Sequence, residues 1–198
     1  MKSRKTTSAT SDLELSRGIL ERMATDLTII VDRRIQIEGV QVERQTQRAA
    51  GQGGVHISFR FSIERDGEKS QGCLLVPLPE ALTLAAYLMM RPDEHVAEER
   101  LRTVLDGSYK EALLEVGKFL AGACDAVLRR ALPGDPAAHS EGCQGVRAGV
   151  RPAFSFTEGD ELVVARARAR IHDFEPFELV LMLPGIALDA VLESLSRP

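Results

Sequence analysis

Ser108-Tyr-Lys-Glu111-Ala-Leu-Leu-Glu115-Val-Gly-Lys118-Phe-Leu-Ala-Gly122-Ala-Cys124-Asp125-Ala-Val-Leu-Arg129-Arg130 reads as one long amphipathic helix. Ser108 and Glu111 have capping-box spacing, Arg129 and Arg130 complement the negative end of the helix dipole, and Pro133-Gly134 stops the element. At 3.6 residues per turn, Leu113, Val116, Leu120, Cys124 and Val127 share one face, which predicts burial. The opposite face collects Glu111, Glu115, Lys118, Gly122, Asp125 and Arg129 within a sector of about 80°. Two readings of that ridge stay open. Glu115 with Lys118 and Asp125 with Arg129 suit a solvated helix face stabilised by ordinary pairs of a few tenths of a kcal/mol. Gly122 does not suit it, because a glycine inside a helix costs about 1 kcal/mol relative to alanine unless something approaches closely there.

Upstream, Ser11 and Glu14 predict a helix start, with Leu15, Ile19 and Met23 at helical spacing to about Leu27. Residues 1–10 are expected to be a disordered tail. Ile29-Ile30-Val31, Ile35/Ile37 and Val40/Val42 read as β-structure. Val55, Ile57, Phe59, Phe61 and Ile63 alternate as a half-buried strand does. Asp66-Gly67 marks a hairpin because both positions tolerate positive φ. The return strand runs through Cys73 to Val76, and Pro79 opens a helix to about Met90. A further helix is expected from Pro92 to Asp106-Gly107 and a loop from Gly134 to Gly145. Strands follow at about 146–156, 161–171 and 177–183, with a last helix from Pro184.

The order repeats. Leu78-Pro79 closes a strand and opens a helix, and Leu183-Pro184 does the same 105 positions later. Halves of about 11–91 and 108–198 each read helix, strands, Leu-Pro, helix. The expectation is one α+β domain over 11–198, its pseudo-two-fold halves sharing one antiparallel sheet with helices packed on one face.

Composition restricts function. The chain has 198 residues, 44% hydrophobic and 27% charged, which allows a packed core. A net charge of −4 gives no global signal for nucleic acid or an anionic membrane. Cys73, Cys124 and Cys143 are widely spaced and the four histidines scattered, so neither a disulfide framework nor a metal site is expected, and no cofactor is implied. A reducing cytoplasm fits. Gly51-Gln-Gly53-Gly54 is followed by a strand and no lysine, unlike a phosphate loop. Arg166, Arg168 and Arg170 alternate with alanines, placing three guanidinium groups on one strand face; Arg147 and Arg151 share one parity on the segment before. Such a row suits a solvent face that discourages edge pairing, or a basic patch for an acidic partner.

Glu115-Val-Gly-Lys118-Phe-Leu-Ala-Gly122 resembles the signature helix of the CheC/CheX/FliY chemotaxis phosphatases, in which Glu-x-x-Asn is followed after three residues by Gly. The likeness extends over roughly Ser11 to Leu192 through the duplication and the strand–Leu-Pro–helix pattern. It implies a helix that enters the active site of a phosphorylated CheY-like receiver domain, the glutamate pairing with the receiver's lysine and the asparagine amide orienting the attacking water. Glu115 matches the glutamate, Glu111 the upstream position that is usually Asp or Ser, and Lys118 stands where the asparagine belongs. Asparagine offers a donor and an acceptor; protonated lysine only donates. The chain contains no asparagine at all, and the first helix offers only Glu14-x-x-Arg17.

The resemblance therefore implies a cytoplasmic signalling protein that binds a receiver domain through Glu111, Glu115, Lys118, Gly122 and Asp125, with Glu115 and Lys118 as a degenerate catalytic pair. Two other readings stand beside it. One is a phosphatase using Glu115 and Glu111 on the water; the other is a flagellar-switch-like assembly domain. A homodimer is compatible with all three.

Overall fold

The computed structural model describes residues 2–157 and 159–185. Chain order is α1 (Lys2–Val31), β1 (Ile35–Gln45), β2 (His56–Arg65), β3 (Glu68–Pro77), α2 (Leu78–Leu88), α3 (Asp93–Glu99), α4 (Gly107–Ala131), β4 (Ala137–Val146), β5 (Leu162–Ile171) and β6 (Phe177–Pro184). The six strands form one antiparallel sheet in the order β1-β5-β6-β3-β2-β4. Exchanging β1 with β4, β2 with β5 and β3 with β6 turns that order into its own reverse. The duplication is therefore physical, and each half lends its first strand to the other half's hairpin.

Backbone details repeat with it. Asp32 and Asp135 follow the two long helices with φ of 49° and 46°, and Gly39 and Gly142 break the registers of β1 and β4 at φ of 64° and 85°. Both edge strands are thus bulged, a device that twists an edge away from unwanted pairing. Asp66 and Gly67 both have positive φ, at 52° and 81°, as the β2–β3 hairpin signal requires.

The helices lie on one face of the sheet. Leu15, Ile19, Leu20, Met23 and Leu27 of α1 and Leu113, Val116, Leu120 and Cys124 of α4 pack on Ile57, Phe59, Phe61, Leu74, Val76, Val163 and Leu181. The reverse face has a smaller core of its own. Cys73, Leu75, Leu162, Val164, Val180 and Met182 lie there under Ala49, Val146, Phe154 and Phe156.

Several sequence expectations are corrected. The first helix begins at Lys2 and not at Ser11, so the expected tail has helical backbone; no glycine or proline stands between Lys2 and Ser11 to stop it. Ile29–Val31 ends this helix instead of opening a strand, with Val31 held in the core. The helix after Pro92 ends at Glu99, because the chain beyond it leaves Leu101 and Val104 exposed and has no core face to keep it helical. The segment expected as a loop from 134 is strand β4. As an edge strand paired only with β2, it needs no strict apolar alternation. Residues 147–156, read as a strand, have no regular structure and instead cover the reverse face. The helix expected from Pro184 falls almost wholly beyond residue 185, outside the described residues.

Two predictions follow from this packing. A Cβ at Gly72 would lie 2.6 Å from the Met182 carbonyl oxygen and 2.8 Å from Phe61 Cε2, at the seam between the halves. Gly72→Ala should lower stability by about 1–3 kcal/mol in urea denaturation; an unchanged midpoint would refute that close packing. Burial pushes the Cys73 and Cys124 thiols up to about 12 and raises the Cys143 thiol as well, but only Cys143 is within reach of solvent, being half-buried. At pH 8 an aromatic disulfide reagent should label Cys143 in the native protein and reach the other two only on unfolding.

Candidate functional site on the exposed face of α4

Asp106 caps α4, its Oδ1 accepting from the Tyr109 amide at 3.0 Å, so the start lies two residues before the Ser108 suggested by the capping-box spacing. Tyr109 is buried and its hydroxyl donates to Glu99, while Arg102 reaches Asp106 at 3.2 Å. The first turn is thereby tied to the end of α3. Further along, a Cβ on Gly117 would stand 3.3 Å from Phe59 Cδ1 and 3.4 Å from the Ser140 hydroxyl. This glycine lets the helix lie close on β2 and β4. With one face fixed in this way, the opposite face is held at a defined angle to solvent.

Glu111, Glu115, Lys118 and Gly122 are all exposed on that outer face. Lys118 Nζ donates to Glu115 Oε1 at 2.5 Å, and their side chains are 64% and 49% exposed. Such a solvated pair contributes little to stability, so its partners can be exchanged for others at small cost. Around Gly122 the space is open: nothing lies within 4 Å of where a Cβ would be. Among the described residues, therefore, none makes use of this glycine's missing side chain.

Asp125 departs from the expected site. Its Oδ1 accepts from the Ala138 amide at 2.8 Å and its Oδ2 from Arg129 Nε at 2.9 Å, while Arg129 Nη1 also reaches Asp135 at 2.6 Å. These contacts anchor the start of edge strand β4 to α4, so Asp125 and Arg129 serve the fold. Two apolar residues that charge patterning overlooked stand on either side of the ridge. Leu114 and Phe119 are 42% and 36% exposed. On a helical wheel they fall about 60° and 80° from Glu111 on opposite sides, a signal present in the same sequence that located the ridge.

Glu14 and Arg17 of α1 are likewise exposed, and the buried positions Leu15, Ile19, Leu20 and Met23 match Val116, Leu120, Ala121 and Cys124 at one constant offset. The first helix thus presents an acid–base pair in the equivalent place. Among the described residues no three His, Cys, Asp or Glu side chains converge to hold a metal ion, and no helix is long and apolar enough to cross a membrane.

By sequence, no family model and no curated protein matches the chain. By structure, Thermotoga maritima FliY superposes with a TM-score of 0.68 at 14% identity, covering 94% of each chain. The chain has the CheC/CheX/FliY fold. The middle domain of Helicobacter pylori FliM gives a TM-score of 0.65 at 11% identity, over 94% of this chain and 97% of that one. CheX from Desulfovibrio desulfuricans gives 0.55 at 12% identity, over 85% and 97%. These neighbours place the fold among chemotaxis and flagellar-switch proteins.

Because the space at Gly122 is open, Gly122→Ala should raise stability by about 0.5–1 kcal/mol, the helix-propensity gain, in urea denaturation. A loss of stability would mean that this face is packed within the protein.

Proposed function

We propose that the protein binds a receiver domain of CheY type through Glu111, Glu115, Lys118 and Gly122 on the outer face of α4, and does not efficiently dephosphorylate it. The carrying observation is Lys118, exposed and bonded to Glu115 where the resembled family has asparagine. A receiver's phosphorylation site is acidic, so a cation at this position favours encounter and docking. The same cation cannot accept a hydrogen bond from an attacking water, which separates binding from hydrolysis. Glu115 can exchange its bond to Lys118 for a lysine of the partner, because both side chains are solvated in the unbound protein. Leu114 and Phe119 supply apolar area beside the charged pair, and Gly122 gives the partner's backbone room to approach. We place the protein in the cytoplasm on the same reading, without a cofactor.

A second reading is an assembly domain of flagellar-switch type. It takes support from the TM-scores of T. maritima FliY and the H. pylori FliM middle domain, 0.68 and 0.65 against 0.55 for D. desulfuricans CheX, and from the solved complex of H. pylori FliM with FliG. Homodimerisation through a sheet edge or helix face belongs with that reading.

The test is the decay of a phosphorylated receiver domain with and without the protein, beside Lys118→Asn. The natural protein should bind, with a Kd that weakens on Glu115→Ala, and leave the decay rate unchanged; Lys118→Asn should accelerate decay. Faster decay with the natural protein would establish the phosphatase. Absence of receiver binding together with large oligomers in light scattering would favour the assembly domain.

A further inference from the structure

On the face of the sheet away from the helices, the chain after β1 and the covering segment 147–156 enclose an open trough of 740 Å³. Arg48, Arg151 and Arg166 line it together with Gln45, Gln47 and Gln52, and no carboxylate is among its lining residues. The guanidinium groups are held by neutral groups in two of the three cases. Arg48 Nη1 donates to the Phe154 carbonyl at 3.3 Å with its guanidinium over the Phe154 ring, and Arg151 Nη2 donates to Gln47 Oε1 at 2.6 Å. Among the described residues only Arg166 of the three is ion-paired, to Glu178 at 2.8 Å. Positioned, uncompensated arginines repel one another, which an anion in the trough would offset.

From the trough the charge continues along β5. Arg168 and Arg170 are exposed on the same sheet face as Arg166, as the burial of Ala165, Ala167 and Ala169 on the other face requires. β5 is the second strand in from the edge and is paired on both sides, so the row does not protect an unpaired edge. Successive arginines of such a row stand about 7 Å apart, the spacing of alternate side chains in any extended chain.

We propose that this trough and the arginine row of β5 dock an extended acidic segment of a partner protein. The matching repeat lets carboxylates at alternate positions of the segment meet Arg166 and Arg170, with an uncharged residue between them at Arg168 and further acids reaching Arg48 and Arg151. A nucleic acid fits less well. Phe154 is buried and Phe156 half-buried, which leaves bases no aromatic platform on this face. Glu38 and Glu178, on either side of Arg168 in the sheet register, would meet a continuous phosphate backbone, whereas a peptide can present an uncharged residue there. The surface lies across the sheet from the α4 ridge and is independent of the receiver-binding reading.

The experiment is fluorescence anisotropy of a labelled eight-residue peptide, serines at its centre and glutamates on either side, titrated with the full chain at low salt. Saturable binding should weaken about tenfold in Arg48→Gln/Arg151→Gln, fall with added salt, and stay within about twofold in Arg130→Gln at the far end of α4. Arg151→Gln alone, an exposed position bonded to Gln47, provides a second variant should Arg48 prove necessary for folding; thermal melts identify that case. Equal affinity in the natural and Arg151→Gln proteins would overturn the proposal, as would no binding at all. Loss of binding in Lys118→Gln with none in the trough variants would assign the peptide to α4 and also overturn it. Tighter binding of an eight-residue oligothymidine than of the peptide would assign the face to nucleic acid instead.

Discussion

The pairing of β3 with β6 is the contact on which the rest of the architecture depends. Cys73 stands opposite Met182, Leu74 opposite Leu181 and Leu75 opposite Val180, and the pseudo-two-fold relating the halves passes between these strands. All six side chains are buried, with Leu74 and Leu181 in the core under the helices and the other four in the core beneath the covering loops. One short antiparallel ladder therefore closes both hydrophobic layers at once. It admits no extra atom at Gly72, where the Met182 carbonyl already occupies the position of a Cβ. Each half also depends on the seam for its edges. β1 can reach β5, and β4 can reach β2, only when the two halves are already joined. A half on its own would leave its first strand without a partner, so the two halves share one sheet although its plan is written twice.

Much of this plan was legible in residue patterns. Alternation in β2, the Asp66-Gly67 turn and the apolar stripe of α4 each reflect a local physical demand that one element meets alone. The Leu-Pro repeat exposed the duplication, since proline suits the first turn of a helix that leaves a buried strand. The misread elements are those whose conformation is set by neighbours. β4, with the sequence Ala-Ala-His-Ser-Glu-Gly-Cys-Gln-Gly-Val, carries a loop-like composition and is a strand because β2 offers it an open edge. Residues 147–156 are rich enough in apolar side chains to suggest a strand, but their aromatic rings are spent on the reverse face of the sheet. That second layer left no periodic signal, because irregular chain covers a sheet without repeating.

The same distinction separates the residues of the α4 ridge. Charge spacing grouped Asp125 and Arg129 with Glu115 and Lys118, since both pairings satisfy helical geometry. Only the fold shows that Asp125 accepts the amide of Ala138 and so belongs to the anchoring of β4. Removing it from the group shortens the outward surface to Glu111, Glu115, Lys118 and Gly122, framed by Leu114 and Phe119. A framed charged pair is a common plan for recognition: apolar flanks exclude water and so strengthen the central electrostatics.

Lysine in place of asparagine changes what such a surface can do while leaving its shape nearly intact. Hydrolysis of an acyl phosphate needs a group that can accept from a water as well as donate, held at the right distance from phosphorus. An ammonium meets the charge requirement and fails the acceptor requirement, whatever its position. Binding has the opposite needs, because an acidic partner gains more from a cation than from a neutral amide. On the proposed receiver-binding reading, a lysine at this one exposed site favours residence over turnover, and it touches no contact of the core. Joined to a basic face on the far side of the sheet, a long-lived complex at α4 would let the domain hold two acidic partners at once, one on each side of a rigid antiparallel sheet.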